Sequence, residues 1–121
     1  MTTTLKRKVR QRDTACCHGL AQPQLCLDAL QQFTDDLQIL AHPIRMQILD
    51  ILRQSQEAVC VCDLEAALPV KQPTVSHHLR LLREAGLIDC ARQGLWAYYF
   101  VQREALAALR ARISDRLAAF A

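Results

Sequence analysis

No apolar run in this chain approaches the ~18 residues needed to cross a bilayer. Its basic start, MTTTLKRKVRQR, has no apolar stretch behind it, so the form of a secretory signal is missing too. These absences lead us to expect a cytoplasmic protein without a membrane partner, in a compartment where structural disulfides are rare. Aromatic residues are scarce, at 5% against 51% hydrophobic residues overall, the balance of an α-rich globule. There is no C-x-x-C on a βαβ pattern, no phosphate-binding P-loop and no Ser/His/Asp constellation in a recognisable setting. The four histidines, His18, His42, His77 and His78, do not form the helical motif of a metal enzyme. An enzyme is therefore not expected. Internal repeats and low-complexity stretches are also lacking.

What is present fits one compact domain: 121 residues can bury a core without disulfides or metals. The net charge of +3 is unevenly spread. Lys6, Arg7, Lys8, Arg10 and Arg12 precede residue 13 with no acid among them, while the rest of the chain is slightly acidic. Residues 1–22 read as a flexible basic arm suited to phosphates, and residues 23–121 as the folded domain. Six cysteines in a reducing compartment need a reading other than disulfides: core packing, redox thiols or metal ligands.

From Gln24 the pattern turns helical, with Leu30, Phe33, Leu37 and Leu40 forming one apolar stripe. Pro43 disfavours helix at His42 and suits the first turn of the next helix, residues 43–54. Ile44, Ile48, Ile51 and Leu52 give that helix a core face. VCVC, residues 59–62, reads as a short strand, with Val59 and Val61 inward and Cys60 and Cys62 sharing the other face. Asp63 then reads as the N-cap of a helix stopped by Pro69. Residues 72–85 form another helix, with Pro73 in its first turn and Gly86 as its stop. Two β-rich runs around RQG, residues 92–94, make a hairpin with Gly94 in the turn. Residues 102–120 are helical again, with Leu106, Leu109, Ile113, Leu117 and Phe120 on one face. The expected class is mainly α (α+β): a winged helix-turn-helix of five helices with a β-hairpin wing.

The strings LAHPIRMQILDIL, VCVCDLEAAL, QPTVSHHLRLLREAGLI and RQGLWAYYFV, in this order and spacing, resemble the successive signatures of the ArsR/SmtB family of metal-responsive bacterial repressors. The resemblance covers about residues 24–121. It implies a homodimer that binds double-stranded operator DNA and releases it when a metal or metalloid binds. CVCDL is similar to the arsenite/antimonite branch and to the cadmium/lead branch. The arsenite branch often carries a third cysteine two residues beyond the aspartate; here that place is Glu65.

On the helix over 72–85, Val75, Leu79 and Leu82 share one face with His78, which matches the family's SxHL histidine and is expected to brace the motif. Thr74, Ser76, His77 and Arg80 lie toward the other side, where a recognition helix reads bases. Lys71 and Gln72 sit at the helix mouth, where phosphate is favoured. Arg92 and Gln93 sit at the wing. The apolar stripes of the first and last helices exceed what one small core needs, and in the family these two helices pair across a two-fold axis.

Soft thiolates select soft ions. Three suit trivalent arsenic or antimony; four suit cadmium, lead or zinc. A helix N-terminus lowers a thiol's pKa, so Cys60 and Cys62 are expected to favour the thiolate. The adjacent pair Cys16 and Cys17, with His18 beside it, can turn two sulfurs to one ion. Two sites remain open: Cys16 and Cys17 meeting Cys60 or Cys62, within or across subunits, or a local site of Cys16, Cys17 and Cys26. Cys90 is expected to pack in a strand. The last helix has no histidine, so the family's zinc site there is missing. The expected inducer is As(III) or Sb(III), with Cd(II), Pb(II) or Zn(II), or oxidation or persulfidation of the thiols, as alternatives.

Overall fold

The computed structural model describes residues 21–121. Helix α1 spans Leu27–Leu40 and α2 Pro43–Gln54; strand β1 is Val59–Cys60, followed by α3 Val61–Ala67 and α4 Gln72–Glu84. Strands β2 (Ile88–Gln93) and β3 (Trp96–Val101) form the hairpin, and α5 spans Arg103–Ala118. The antiparallel sheet has the order β1-β3-β2. This is the expected winged helix-turn-helix, with five helices and a wing.

Local chemistry sets most boundaries. Pro43 opens α2, and the His42 side chain caps it by accepting the Ile44 N–H. Helix α4 ends in a Schellman pattern, with Gly86 at φ +78 and its N–H bonded to the Arg83 carbonyl while Leu87 N–H reaches Leu82. The hairpin closes through Gly94–Leu95, with positive φ only at Gly94, the pattern of a type II′ turn. Helix α1 starts at Leu27 behind Cys26, later than the periodicity from Gln24 implied.

The core gathers Ile44, Ile48, Leu49 and Leu52 of α2, Leu64 and Leu68 around α3, Val75, Leu79 and Leu82 of α4, Leu87, Ile88 and Val101 of the hairpin, and Leu109 of α5. Leu49 joins this face in place of the expected Ile51, which is only half-buried. The terminal stripes are used unevenly. Phe33 and Leu109 are buried, but Leu37, Leu117 and Phe120 stay exposed, Phe120 by 66%. A bidentate ion pair, Arg112 to Asp36 at 3.0 and 3.2 Å, ties α5 to α1.

The corner between β1 and α3 differs from expectation. Strand β1 makes only two pairings with β3, Val59↔Tyr99 and Cys60↔Tyr98. Helix α3 then begins at Val61, so Cys60 is its N-cap residue and Asp63 lies inside its first turn. Cys62 is therefore helical, and the two cysteines do not share a strand face. Val59 and Val61 do pack against the core as expected.

Candidate nucleic-acid interface and thiol site

Helix α4 divides cleanly. Val75, His78, Leu79 and Leu82 are buried against the core. Lys71, Gln72, Thr74, Ser76, His77 and Arg80 are all exposed, as are Arg92 and Gln93 on the wing. Lys71 precedes the helix as its N-cap residue, and Pro73 stands in its first turn. Pro73 has no N–H and those of Thr74 and Val75 bond the Lys71 carbonyl, so the Gln72 N–H and the lysine are what this turn offers an anion. His77 and Arg80 are coupled: an Arg80 Nη2 lies 3.3 Å from His77 Nδ1, which fixes the guanidinium beside the imidazole one turn back. Arg83 donates to Asp89 at 3.2 Å, joining the end of α4 to the wing. A polar outer helix face and a hairpin held to it make a surface of donors fit for phosphates and base edges.

His78 takes the bracing place expected of it, 5% exposed. Its Nδ1 lies 3.1 Å from Arg45 Nη1, and its ring stacks on His42 with centroids 4.2 Å apart. Sequence reasoning missed Arg45. Its Nε donates to the Ile39 carbonyl at 2.8 Å and its Nη2 to the Gln38 carbonyl at 2.9 Å. The available signal was position: Arg45 falls in helical register with the core residues Ile48, Leu49 and Leu52.

The thiols of Cys60 and Cys62 meet across the strand-to-helix corner, with Cys62 Sγ donating to Cys60 Sγ at 2.7 Å. Contact survives the change of secondary structure because the chain turns between them. Cys62 is exposed and Cys60 half-buried. The Cys62 thiol is pushed up, first by its hydrogen bond to Cys60, then by desolvation and the neighbouring charges of Cys60 and Asp63; a bond from the Asp63 backbone pulls the other way and loses. The expected lowering by the helix terminus is thus overturned at Cys62: without an ion this thiol holds its proton. A divalent soft ion must expel that proton, so its affinity rises with pH, whereas As(OH)3 takes it up as water with its own hydroxyl. We expect proton release on cadmium addition in weakly buffered solution, reduced in Cys62→Ser, and none on arsenite addition.

Cys90 pairs with Tyr99 in the sheet, whereas Cys60 pairs with Tyr98. Paired residues share a face and successive residues alternate. Cys90 therefore lies on the opposite face from Cys60, with Val59 and Tyr99, and is no partner to the thiol pair. Cys26 stands at the start of α1, exposed. Glu65 is half-buried, and among the described residues no group of three or more His, Cys, Asp or Glu could hold a metal. Cys16, Cys17 and His18 lie outside the described residues.

A buried core behind a polar α4, with a wing beside it, defines a DNA-binding protein of the winged helix-turn-helix class. Residues 42–89, from the cap of α2 into β2, match the family model described as "Bacterial regulatory protein, arsR family". Over 97 residues the chain is 35% identical to a transcriptional repressor SmtB homolog of Synechocystis, covering 79% of this chain and 72% of that protein. It is 48% identical over 61 residues to the arsenical resistance operon repressor of Escherichia coli K12, a stretch that covers 51% of that repressor. A crystal structure described as a possible transcriptional regulator for arsenical resistance superposes with a TM-score of 0.59 at 34% identity, covering 72% of this chain and 96% of the other. The chain belongs to the ArsR family of DNA-binding transcriptional regulators, which are not enzymes.

Proposed function

We propose that this regulator is a homodimeric operator-binding repressor that releases DNA when As(III) or Sb(III) binds its cysteine thiolates. The observation that carries this reading is the contact of Cys60 and Cys62 at the entrance to α3. Bridging one soft ion with bonds of ~2.3 Å requires the sulfurs to part by only about 1 Å. The described residues supply two adjacent sulfurs and no third neighbour, so a three-thiolate site needs Cys16 or Cys17 from the basic arm, of the same or the partner subunit. When bound, the ion supplies a covalent tie between that arm and the corner that leads into the helix-turn-helix. Helix α3 packs on α4, so the tie acts on the reading helix. The arsenical resistance repressor of Escherichia coli supports the metalloid reading, while the SmtB homolog keeps a Cd(II), Pb(II) or Zn(II) site open.

The test is a gel shift with operator, titrated in turn with arsenite, cadmium, zinc and peroxide. Release at the lowest concentration by arsenite supports the reading. Release by cadmium or zinc alone moves the protein to the divalent-ion alternative, and release by peroxide alone to the redox one. Cys26→Ser separates the two site arrangements: loss of arsenite response there, with Cys60→Ser unaffected, favours the local arm site.

Dimerisation uses the apolar surface that α1 and α5 leave open. Leu117 is 51% exposed, and an open groove of about 370 Å³ between α2 and α5 is lined by Leu40, Met46, Leu49, Leu106 and Leu109. Leu117→Asp is expected to keep the fold and yield monomers by light scattering, because the charge would be buried only in the dimer. Leu109→Asp is expected to unfold the chain, since Leu109 is already buried within one subunit. A full-size dimer from Leu117→Asp counts against this interface.

A further inference from the structure

Two histidines behind the reading helix can each accept only one arrangement of protons. His42 Nδ1 faces the Ile44 backbone N–H at 3.1 Å, and His78 Nδ1 faces an Arg45 Nη1 at 3.1 Å. A backbone amide and a guanidinium only donate. Both Nδ1 atoms therefore accept, and the buried His78 ring carries its proton on Nε2. The same guanidinium spends its other donors on the Gln38 and Ile39 carbonyls, in the last turn of α1, where helix carbonyls lack intrahelical partners. One side chain thus fastens the end of α1 to the buried side of α4.

Basic side chains surround His78. His42 and Arg45 of α2 and His77 of α4, its ring centroid 5.3 Å away, face His78. Arg80 is bonded to His77 in turn. Asp35 of α1 lines the same groove as Arg45, but among the described residues the ion pairs join Arg53 to Asp50, Arg83 to Asp89 and Arg112 to Asp36, leaving the cluster without a paired carboxylate. A second proton on His78 must enter at Nδ1, against the Arg45 donor.

We propose that His42, Arg45 and His78 form a proton-sensitive clamp: protonation of His78 breaks its bond to Arg45, frees α4 from the last turn of α1, and weakens operator binding without any metalloid. The inference rests on α4 being the reading helix. Burial, then His42, Arg45 and His77, hold His78 below its ordinary value of 6.5. A folded pKa below the unfolded one means the unfolded chain takes the proton first as pH falls. The stabilising effect is thus complete above the ordinary value and is lost as pH drops through it toward the folded value.

Operator affinity of the full, reduced chain is measured by anisotropy at pH 7.5 and 5.5 at fixed ionic strength. The wild type is compared with His78→Asn, whose amide oxygen can accept from Arg45 without titrating, so that any response of the shared His77 cancels. On acidification the wild type is expected to lose at least about threefold more affinity than His78→Asn. In the wild type, the NMR coupling between Arg45 Nη1 and His78 Nδ1 across their hydrogen bond is expected to disappear over the same pH range. A wild-type fall no larger than that of His78→Asn, or a coupling that persists at pH 5.5, overturns the clamp. If His78→Asn does not fold, the wild-type coupling decides alone. Failure of the reading-helix assignment is separately visible, as normal binding by Arg80→Ala at pH 7.5, and leaves the coupling result intact.

Discussion

Cys60→Ser or Cys62→Ser is expected to leave operator affinity within about twofold of the wild type while removing most of its release by arsenite. The two sulfurs touch at the corner between β1 and α3, and neither cysteine is among the α4 and wing residues proposed to meet DNA, so their loss is expected to remove no contact to phosphate or base. Allosteric coupling between an effector and its partner typically amounts to about 1–3 kcal/mol, a 5–150-fold change in affinity. A three-thiolate site that loses one donor keeps only two bonds and no longer ties the arm to the corner, so most of that coupling disappears. Cys16→Ser and Cys17→Ser are expected to behave alike. Cys90→Ser is expected to respond as the wild type, because Cys90 faces the other side of the sheet. Operator titrations of the five variants check this. If none of Cys16, Cys17, Cys60 and Cys62 alters release by any soft ion, the thiols act by oxidation or not at all.

Arg80→Ala is expected to weaken operator binding by roughly 10–100-fold, as loss of a bidentate base contact of about 1–3 kcal/mol would. The guanidinium is exposed on α4 and held by His77 rather than by any acid, so it is free to meet DNA. Substituting Ser76 and His77 together removes two neighbours on the same face and is expected to match this loss. Both variants should remain dimeric and arsenite-binding, since neither touches α1, α5 or the thiols. Wild-type binding should also fall steeply with salt, because phosphate contacts release counterions. A normal shift by the double variant at moderate salt removes α4 from the interface.

Much of this was legible along the chain because local chemistry decided it. Pro43 placed the start of α2 where it stands, and Gly86 and Gly94 marked a helix stop and a turn that need positive φ. The alternation of buried and exposed residues on α4 followed from helical spacing alone, so the exposed set proposed to face DNA could be listed with His78 assigned to the core. The strand-to-helix corner was misread because α3 begins two residues ahead of Asp63. Pairing stops after Cys60↔Tyr98, where α3 begins, although β3 runs on to Trp96, and no local signal in CVCDL records that limit. The raised Cys62 thiol was equally hidden, being a consequence of side-chain contact. Arg45 escaped notice because its partners, two carbonyls of α1 and a histidine 33 residues away, come together only in the folded chain.

The most direct test of metalloid-triggered release is one anisotropy titration: labelled operator saturated with the reduced wild-type protein, to which arsenite is added at constant pH and salt, beside the same titration of Cys60→Ser/Cys62→Ser. Anisotropy is expected to fall to that of free DNA for the wild type, with an end point near one arsenite per thiol pair, and to stay at the bound level for the variant. Wild-type anisotropy that does not move with arsenite, or a variant that releases as readily, contradicts it.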